Sequence, residues 1–163
     1  MVVPQKTRLA RQKKTAEVFT PDSLVNEMLD ALPKTVWQSG KTFLDPAAGN
    51  GQFLVWIVIR KIQKGQTPLQ ALQTTYGVEL MCDNVQECQA RLLKVVQFFE
   101  PITKEHVDAV VQNIVRANSL TYHFNFQKPK KETTENAYRI FLAKGALNDV
   151  EIPRITEIQQ KFH

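Results

Sequence analysis

Seven consecutive residues, Asp45-Pro46-Ala47-Ala48-Gly49-Asn50-Gly51, combine the residue types that a ligand-binding turn needs. Gly49 and Gly51 let a backbone turn sharply and approach a ligand with no side chain in the way. Asp45 closes a short apolar stretch and can accept a hydrogen bond from an ammonium group, while a helix beginning at Gln52 would offer free amides. The pattern is not the dinucleotide motif G-x-G-x-x-G, because Leu54 stands at the third glycine, and no Gly-Lys-Ser/Thr follows to make a phosphate loop. An acid at such a turn suits a zwitterionic or cationic ligand better than a pyrophosphate. Read locally, Asp-Pro and Gly-Asn-Gly are also plain turn chemistry. Three further places carry polar chemistry. Glu79, followed by Leu80, ends a second apolar stretch, where an acid is placed to take both hydroxyls of a ribose. Asn118-Ser119 ends a third and could meet an adenine amino group. Phe19-Thr20-Pro21 leads into the first helix.

The elements that must position these residues follow from periodicity and punctuation. Thr20 reads as an N-cap and Pro21 as a first helical residue, with Leu24, Val25, Met28, Leu29 and Leu32 on one face and Pro33 as the stop. Residues 42–45 read as a strand running into the glycine turn. Residues 52–64 then read as a helix, although FLVWIVI alone favours a strand, because a glycine turn after a short strand opens a helix. Thr67-Pro68 and Thr103 signal two further helix starts. Residues 76–80 and 113–117 read as strands two and three, with a helix over 84–99 between them. Residues 125–136 read as loop, residues 138–143 (YRIFLA) as a fourth strand, and residues 153–162 as a short helix with Ile155, Ile158 and Phe162 aligned. Strands alternating with helices predict right-handed crossovers and a parallel sheet covered on both faces. Ligands of such sheets sit at the carboxyl ends of the strands. Every candidate residue above lies at such an end or on the approach to the first helix.

The charge is concentrated. Lys6, Arg8, Arg11, Lys13 and Lys14 stand in the first 14 residues with no acid among them. Removing those five from the 21 Lys and Arg leaves 16, equal to the 16 Asp and Glu. The arm, residues 1–14, is therefore the source of the net positive charge, and residues 15–163 form one neutral domain. Lys128, Lys130 and Lys131 make a second cluster around Pro129. Basic segments of this kind attract phosphate backbones, and they equally serve as solvated termini. The longest apolar run, residues 53–59, is too short to span a bilayer, and the charged N-terminus has no apolar core behind it to act as a secretory signal. Two cysteines, Cys82 and Cys88, make neither a disulfide framework nor a metal-ligand set, which fits a reducing, cytoplasmic setting with no metal and no membrane partner.

Taken together, these residues resemble the S-adenosylmethionine (AdoMet) half of an amino-directed DNA methyltransferase of the adenine-N6 type. Thr15-Ala16-Glu17-Val18-Phe19-Thr20-Pro21 followed by Leu24-Val25-Asn26-Glu27-Met28 is similar to the family's N-terminal cofactor motif. Asp45 to Gly51 is similar to its glycine-rich loop. Tyr76-Gly77-Val78-Glu79-Leu80 with Gln89-Ala90-Arg91-Leu92 resembles its ribose segment, and Asn118-Ser119-Leu120 its D-x-L adenine contact, with Asn for Asp. The resemblance covers residues 14–124 and implies a Rossmann-like three-layer α/β/α fold with a truncated parallel sheet. It further implies that Phe19 packs on the cofactor with Thr20 and Pro21 bordering its methionine part. Asp45, Pro46 and the backbone from Ala47 through Gly49 to Gly51 would hold the methionine moiety, Glu79 and Leu80 the ribose, and Asn118 and Ser119 the adenine.

The family's Asp/Asn-Pro-Pro-Tyr/Phe catalytic loop is missing, since the chain contains no Pro-Pro. If residues 138–143 form the fourth strand, the equivalent loop is Lys144-Gly145-Ala146-Leu147, where a lysine donates in place of an acceptor and no ring can stack on a flipped base. No catalytic residue is assigned. Three readings follow: an AdoMet-binding, catalytically degenerate relative; an active DNA adenine methyltransferase subunit completed by a partner chain; and a methyltransferase for another acceptor or a ligand-free interaction module. The first strand also needs a neighbour, either residues 138–143 or a second subunit, homomeric or not, because a bare strand edge invites association.

Overall fold

Local capping signals place several of the helices. In the computed structural model, which describes residues 19–154, Thr67 closes a capping box with Gln70, and Thr103 closes one with His106. The elements run α1 (Asp22–Asp30), a 3₁₀ turn (Lys34–Trp37), β1 (Phe43–Asp45), α2 (Gln52–Gln63), α3 (Pro68–Gln73) and β2 (Thr75–Glu79). They continue with α4 (Cys82–Phe99), α5 (Lys104–Asn113), β3 (Ile114–Arg116), α6 (Lys131–Tyr138), a π turn (Arg139–Ala143) and a 3₁₀ turn (Ala146–Asp149). The basic arm (Lys6, Arg8, Arg11, Lys13, Lys14) and nearly all of the helix expected over 153–162 lie outside the described residues.

The fold is mixed α/β around a three-stranded parallel sheet in the order β1-β2-β3, with Asp45 opposite Gly77 and Gly77 opposite Ile114. Parallel neighbours need crossovers, here α2–α3 and α4–α5. Two right-handed crossovers advancing in one direction along a sheet lie on the same face. Gly77 shows how closely that layer approaches: a Cβ there would stand 2.6 Å from Leu54 Cδ1 and 3.1 Å from Ala48 Cβ. Helix α2 touches α1, α4 and the sheet, so the whole stretch from Leu54 to Ile59 is buried. A helix enclosed on all sides must be apolar all round, which is why a strand-like sequence forms it. Each of these side chains contributes about 1.5–3 kcal/mol by leaving water.

Lys61 is fully buried among these residues and donates to Thr74 O, Thr74 Oγ1 and Thr75 Oγ1 at 2.8, 2.8 and 2.9 Å. All three ammonium protons are thereby used to tie α2 to the start of β2. Burial still pushes its pKa down to about 7.

Several expectations are corrected. Pro21, not Thr20, occupies the N-cap of α1, with no side-chain cap. Only Val25 and Leu29 of the expected apolar face are buried, together with Asn26, while Leu24, Met28 and Leu32 are exposed. The inward face turned because Arg60, buried on α2, donates to Asn26 O and Oδ1 and pairs with Asp30 at 2.6 Å. Residues 138–143 are not a fourth strand. They continue α6 as a helical turn that buries Phe141, and α6 itself occupies part of the stretch expected as loop. Thr134 anchors α6 to α5 through Asp108 (2.8 Å), and the following turn buries Ala146 and Leu147 beside α4. Lys144 to Leu147 therefore lies at no strand end and is not equivalent to a catalytic loop. Among the described residues β1 has no neighbour on its outer side, and Leu44 is 49% exposed.

Candidate cofactor site

The carboxyl ends of all three strands meet at one rim of the sheet. Asp45 ends β1 and holds the turn through Oδ1, which accepts from Ala47 N at 3.0 Å. Its other oxygen has no hydrogen-bond partner among the described residues. Desolvation raises the Asp45 pKa most; the Ala47 hydrogen bond opposes this and the charge of Glu79 adds to it. A half-buried carboxylate with a spare oxygen and a neighbouring negative charge gains from a cationic partner.

Glu79 ends β2 and organises the turn. Its Oε1 accepts from Gly49 N at 3.2 Å, and its Oε2 accepts from Met81 N at 2.8 Å and Asn84 Nδ2 at 3.3 Å. One carboxylate thus joins the glycine turn, the β2–α4 junction and the first turn of α4. Phe19 lies over the same turn, since a Cβ on Gly49 would stand 3.4 Å from its ring. Gly49 has φ +57° and Gly51 φ +94°, both left-handed, which suits glycine.

Gly51 serves a purpose other than the one expected. A Cβ there would come within 2.8 Å of Cys88 Sγ, so its space is filled by the core and not kept for a ligand. Cys88 is fully buried, and desolvation pushes its thiol up to about 12. Pro46 and Ala47 are exposed on the turn, and Thr20 and Pro21 reach it through Gln52, whose Nε2 donates to Thr20 O at 2.8 Å.

The third strand joins through Ala117 N, which donates to Glu79 O at 3.1 Å and brings Asn118 and Ser119 beside the rim. Asn118 Oδ1 is taken by Leu120 N at 3.0 Å, leaving its NH₂ to donate. Leu80 is 59% exposed at the same rim. The expected residues 19–21, 45–51, 79–80 and 118–119 are therefore assembled at one end of the sheet.

Asn84 and Met81 escaped the sequence reading because nothing in their spacing marks a carboxylate partner. Arg91 had a signal, a cation in the apolar run of α4. It is buried and donates from Nη1 to Asn50 O at 3.1 Å and Gln52 Oε1 at 2.7 Å, and from Nε to Glu151 O at 2.8 Å. It thus clamps the back of the glycine turn. Among the described residues there is no cluster of three or more His, Cys, Asp or Glu fit for a metal, and no helix is long and apolar enough to cross a membrane. Compared with protein-family models, with curated proteins and with solved structures, the chain finds no match.

Proposed function

We propose that the chain binds S-adenosylmethionine as a DNA adenine-N6 methyltransferase-like protein and is catalytically degenerate on its own. The observation that carries this reading is the joint placement of Asp45, the Gly49 amide and Glu79, with Phe19 over the turn and Asn118 one strand beyond. A methionine ammonium would neutralise the spare oxygen of Asp45. Ribose hydroxyls would donate to Glu79, whose carboxylate has acceptor capacity beyond its three bonds. The free NH₂ of Asn118 suits an acceptor nitrogen of the adenine ring better than its exocyclic amine. Among the described residues, no Pro-Pro loop brings an acceptor pair and a stacking ring together at this rim for an adenine amine, so holding the donor is separated from transferring its methyl group. Isothermal calorimetry with AdoMet tests the reading: wild type binds and Asp45→Ala loses about tenfold or more, the equivalent of at least one charge-assisted hydrogen bond. Absence of binding by the wild type overturns it.

A second reading, an active subunit completed by a partner chain, is favoured by one observation. Among the described residues no strand pairs with the outer edge of β1, where Leu44 beside Asp45 is half-exposed. Labelled-methyl transfer to adenine-containing DNA by the chain alone would refute degeneracy. Transfer only in the presence of a second chain would establish completion.

A further inference from the structure

We propose that the segment between β3 and α6 is a binding surface for single-stranded nucleic acid, with bases stacking on Phe124 and Tyr122 and phosphates meeting Lys128, Lys130 and Lys131. The segment leaves the candidate cofactor rim at Asn118 and carries rings at every second residue. Tyr122 lies 5.3 Å from Phe124 and 5.4 Å from Phe126, edge-on in each case, and Phe126 packs at 4.8 Å on Tyr76 of β2. Tyr122 Oη further accepts from Phe126 N at 3.0 Å, so the rings are held in place before any ligand arrives. Phe124 is 39% exposed.

The backbone is held in an unfavourable state to do this. Phe124 and Phe126 have φ of +54° and +38°, the left-handed region that bulky residues avoid. Strain of this kind persists where the surroundings enforce it, and it is found at ligand clamps. Charge then selects the occupant. From Asn118 to Lys131 there is no acid and there are three lysines, all exposed and without an ion pair among the described residues. A groove of about 910 Å³ runs beside them, lined by Tyr76, Lys104, Lys128 and Lys131. Of the three acids in its lining, Asp108 accepts from Thr134 and Glu135 faces Lys104 at 3.9 Å, which leaves Glu105 as the one acid there without a partner among the described residues. Aromatic rings at 122–126 followed directly by a cationic stretch at 128–131 match stacked bases on a polyanionic backbone. The proposal stands without the AdoMet reading.

The test is fluorescence anisotropy of the full chain with a labelled 12-nucleotide oligothymidylate, its RNA counterpart, duplex DNA and inorganic polyphosphate, across a salt series. The single strands bind. Phe124→Ala weakens them about 5- to 100-fold without changing the salt slope, as loss of one stacked base predicts. Lys128→Ala/Lys130→Ala/Lys131→Ala flattens the log–log salt slope by about 2, near 0.7 per phosphate contact on a single strand. The Trp fluorescence of Phe124→Trp is quenched on binding. The proposal is overturned by Phe124→Ala binding like wild type with Phe124→Trp unquenched, or by polyphosphate or duplex binding as tightly as the single strands. Calorimetry with AdoMet on the same variants remains unchanged, which separates failure here from failure of the cofactor reading.

Discussion

Replacing Glu79 with glutamine changes almost no volume and removes one negative charge, so it isolates what the carboxylate does. In wild type Oε1 faces one donor, Gly49 N, and Oε2 faces two, Met81 N and Asn84 Nδ2. An amide has one oxygen. Turned toward Met81 and Asn84, it presents its NH₂ to the Gly49 N–H; turned the other way, it sets a donor against two donors. The first orientation is better, and it still loses one bond and the charge assistance of two others. Hydrogen bonds to an ionised group are worth about 1.5–3 kcal/mol against about 1 for neutral pairs, and discounting for the half-exposed position gives a cost of about 2 kcal/mol. For a chain of this size that lowers Tm by about 4–8 °C. Calorimetric melting of wild type and Glu79→Gln measures this directly, and AdoMet titration of both should show about tenfold weaker binding, as expected for one lost charge-assisted contact. A Tm within 1 °C of wild type, at about that precision of a scan, would refute the claim that Glu79 organises the turn. An unchanged Tm with weakened AdoMet binding would assign Glu79 to the ligand alone.

Other outcomes follow from the same contacts. Gly51→Ala forces a Cβ to 2.8 Å from Cys88 Sγ at φ +94° and should cost about 2–4 kcal/mol in a denaturant melt, with partial recovery in Gly51→Ala/Cys88→Ala. A neutral Gly51→Ala would refute it. Because the unfolded chain keeps a lysine near 10.5 while folded Lys61 sits at about 7, the unfolded state binds more protons between those values, so stability rises with pH there. Wild type should gain about 2 kcal/mol between pH 7 and 9, and Lys61→Met should lose that gain. Asp45 has a raised pKa that a bound ammonium would lower, so AdoMet binding would release a proton and its affinity should climb with pH across the acid range above 3.8; a flat calorimetric profile there would remove the ammonium–Asp45 pairing. Native alkylation should label Cys82, which is exposed, and spare Cys88 until the chain unfolds, as mass spectrometry of the labelled protein would show.

Local chemistry made much of this molecule legible from sequence. The capping threonines at 67 and 103 and the turn at Asp45 to Gly51 act through neighbours in the chain, and the acid ending β2 stands where its residue type puts it, though it also reaches back to Gly49 N. Readings that depended on distant partners failed. α1 shows this most clearly: Leu24, Met28 and Leu32 are as well spaced as Val25 and Leu29, and only the buried Arg60, thirty residues away, decides that Asn26 turns inward. Likewise YRIFLA carries strand propensity, but the helix-forming run before it docks on α5 and draws it into a helical turn. Gly51 was legible as a glycine requirement and illegible as to its cause, because Cys88 lies one crossover away.

The position of β1 bears on where chemistry could occur. In a parallel sheet the ligand crevice lies at the carboxyl ends, beside the point where strand order reverses. Among the described residues β1 is the outermost strand, so Asp45 stands at the open end of the rim and Glu79 and Asn118 follow it in turn along the same rim. The groups that would hold a nucleoside and an amino acid are thus all on one wall. Under the proposed reading, the side beyond β1 is open to a group that would position an acceptor, since Leu44 is half-exposed and the strand edge, unpaired among the described residues, is suited to receive another strand. Leu44→Lys leaves the wall intact while making that edge unfavourable for pairing. It should therefore leave AdoMet binding unchanged and abolish any association that sedimentation detects in wild type; loss of AdoMet binding with association retained would show that Leu44 belongs to the pocket and that the edge is closed in solution.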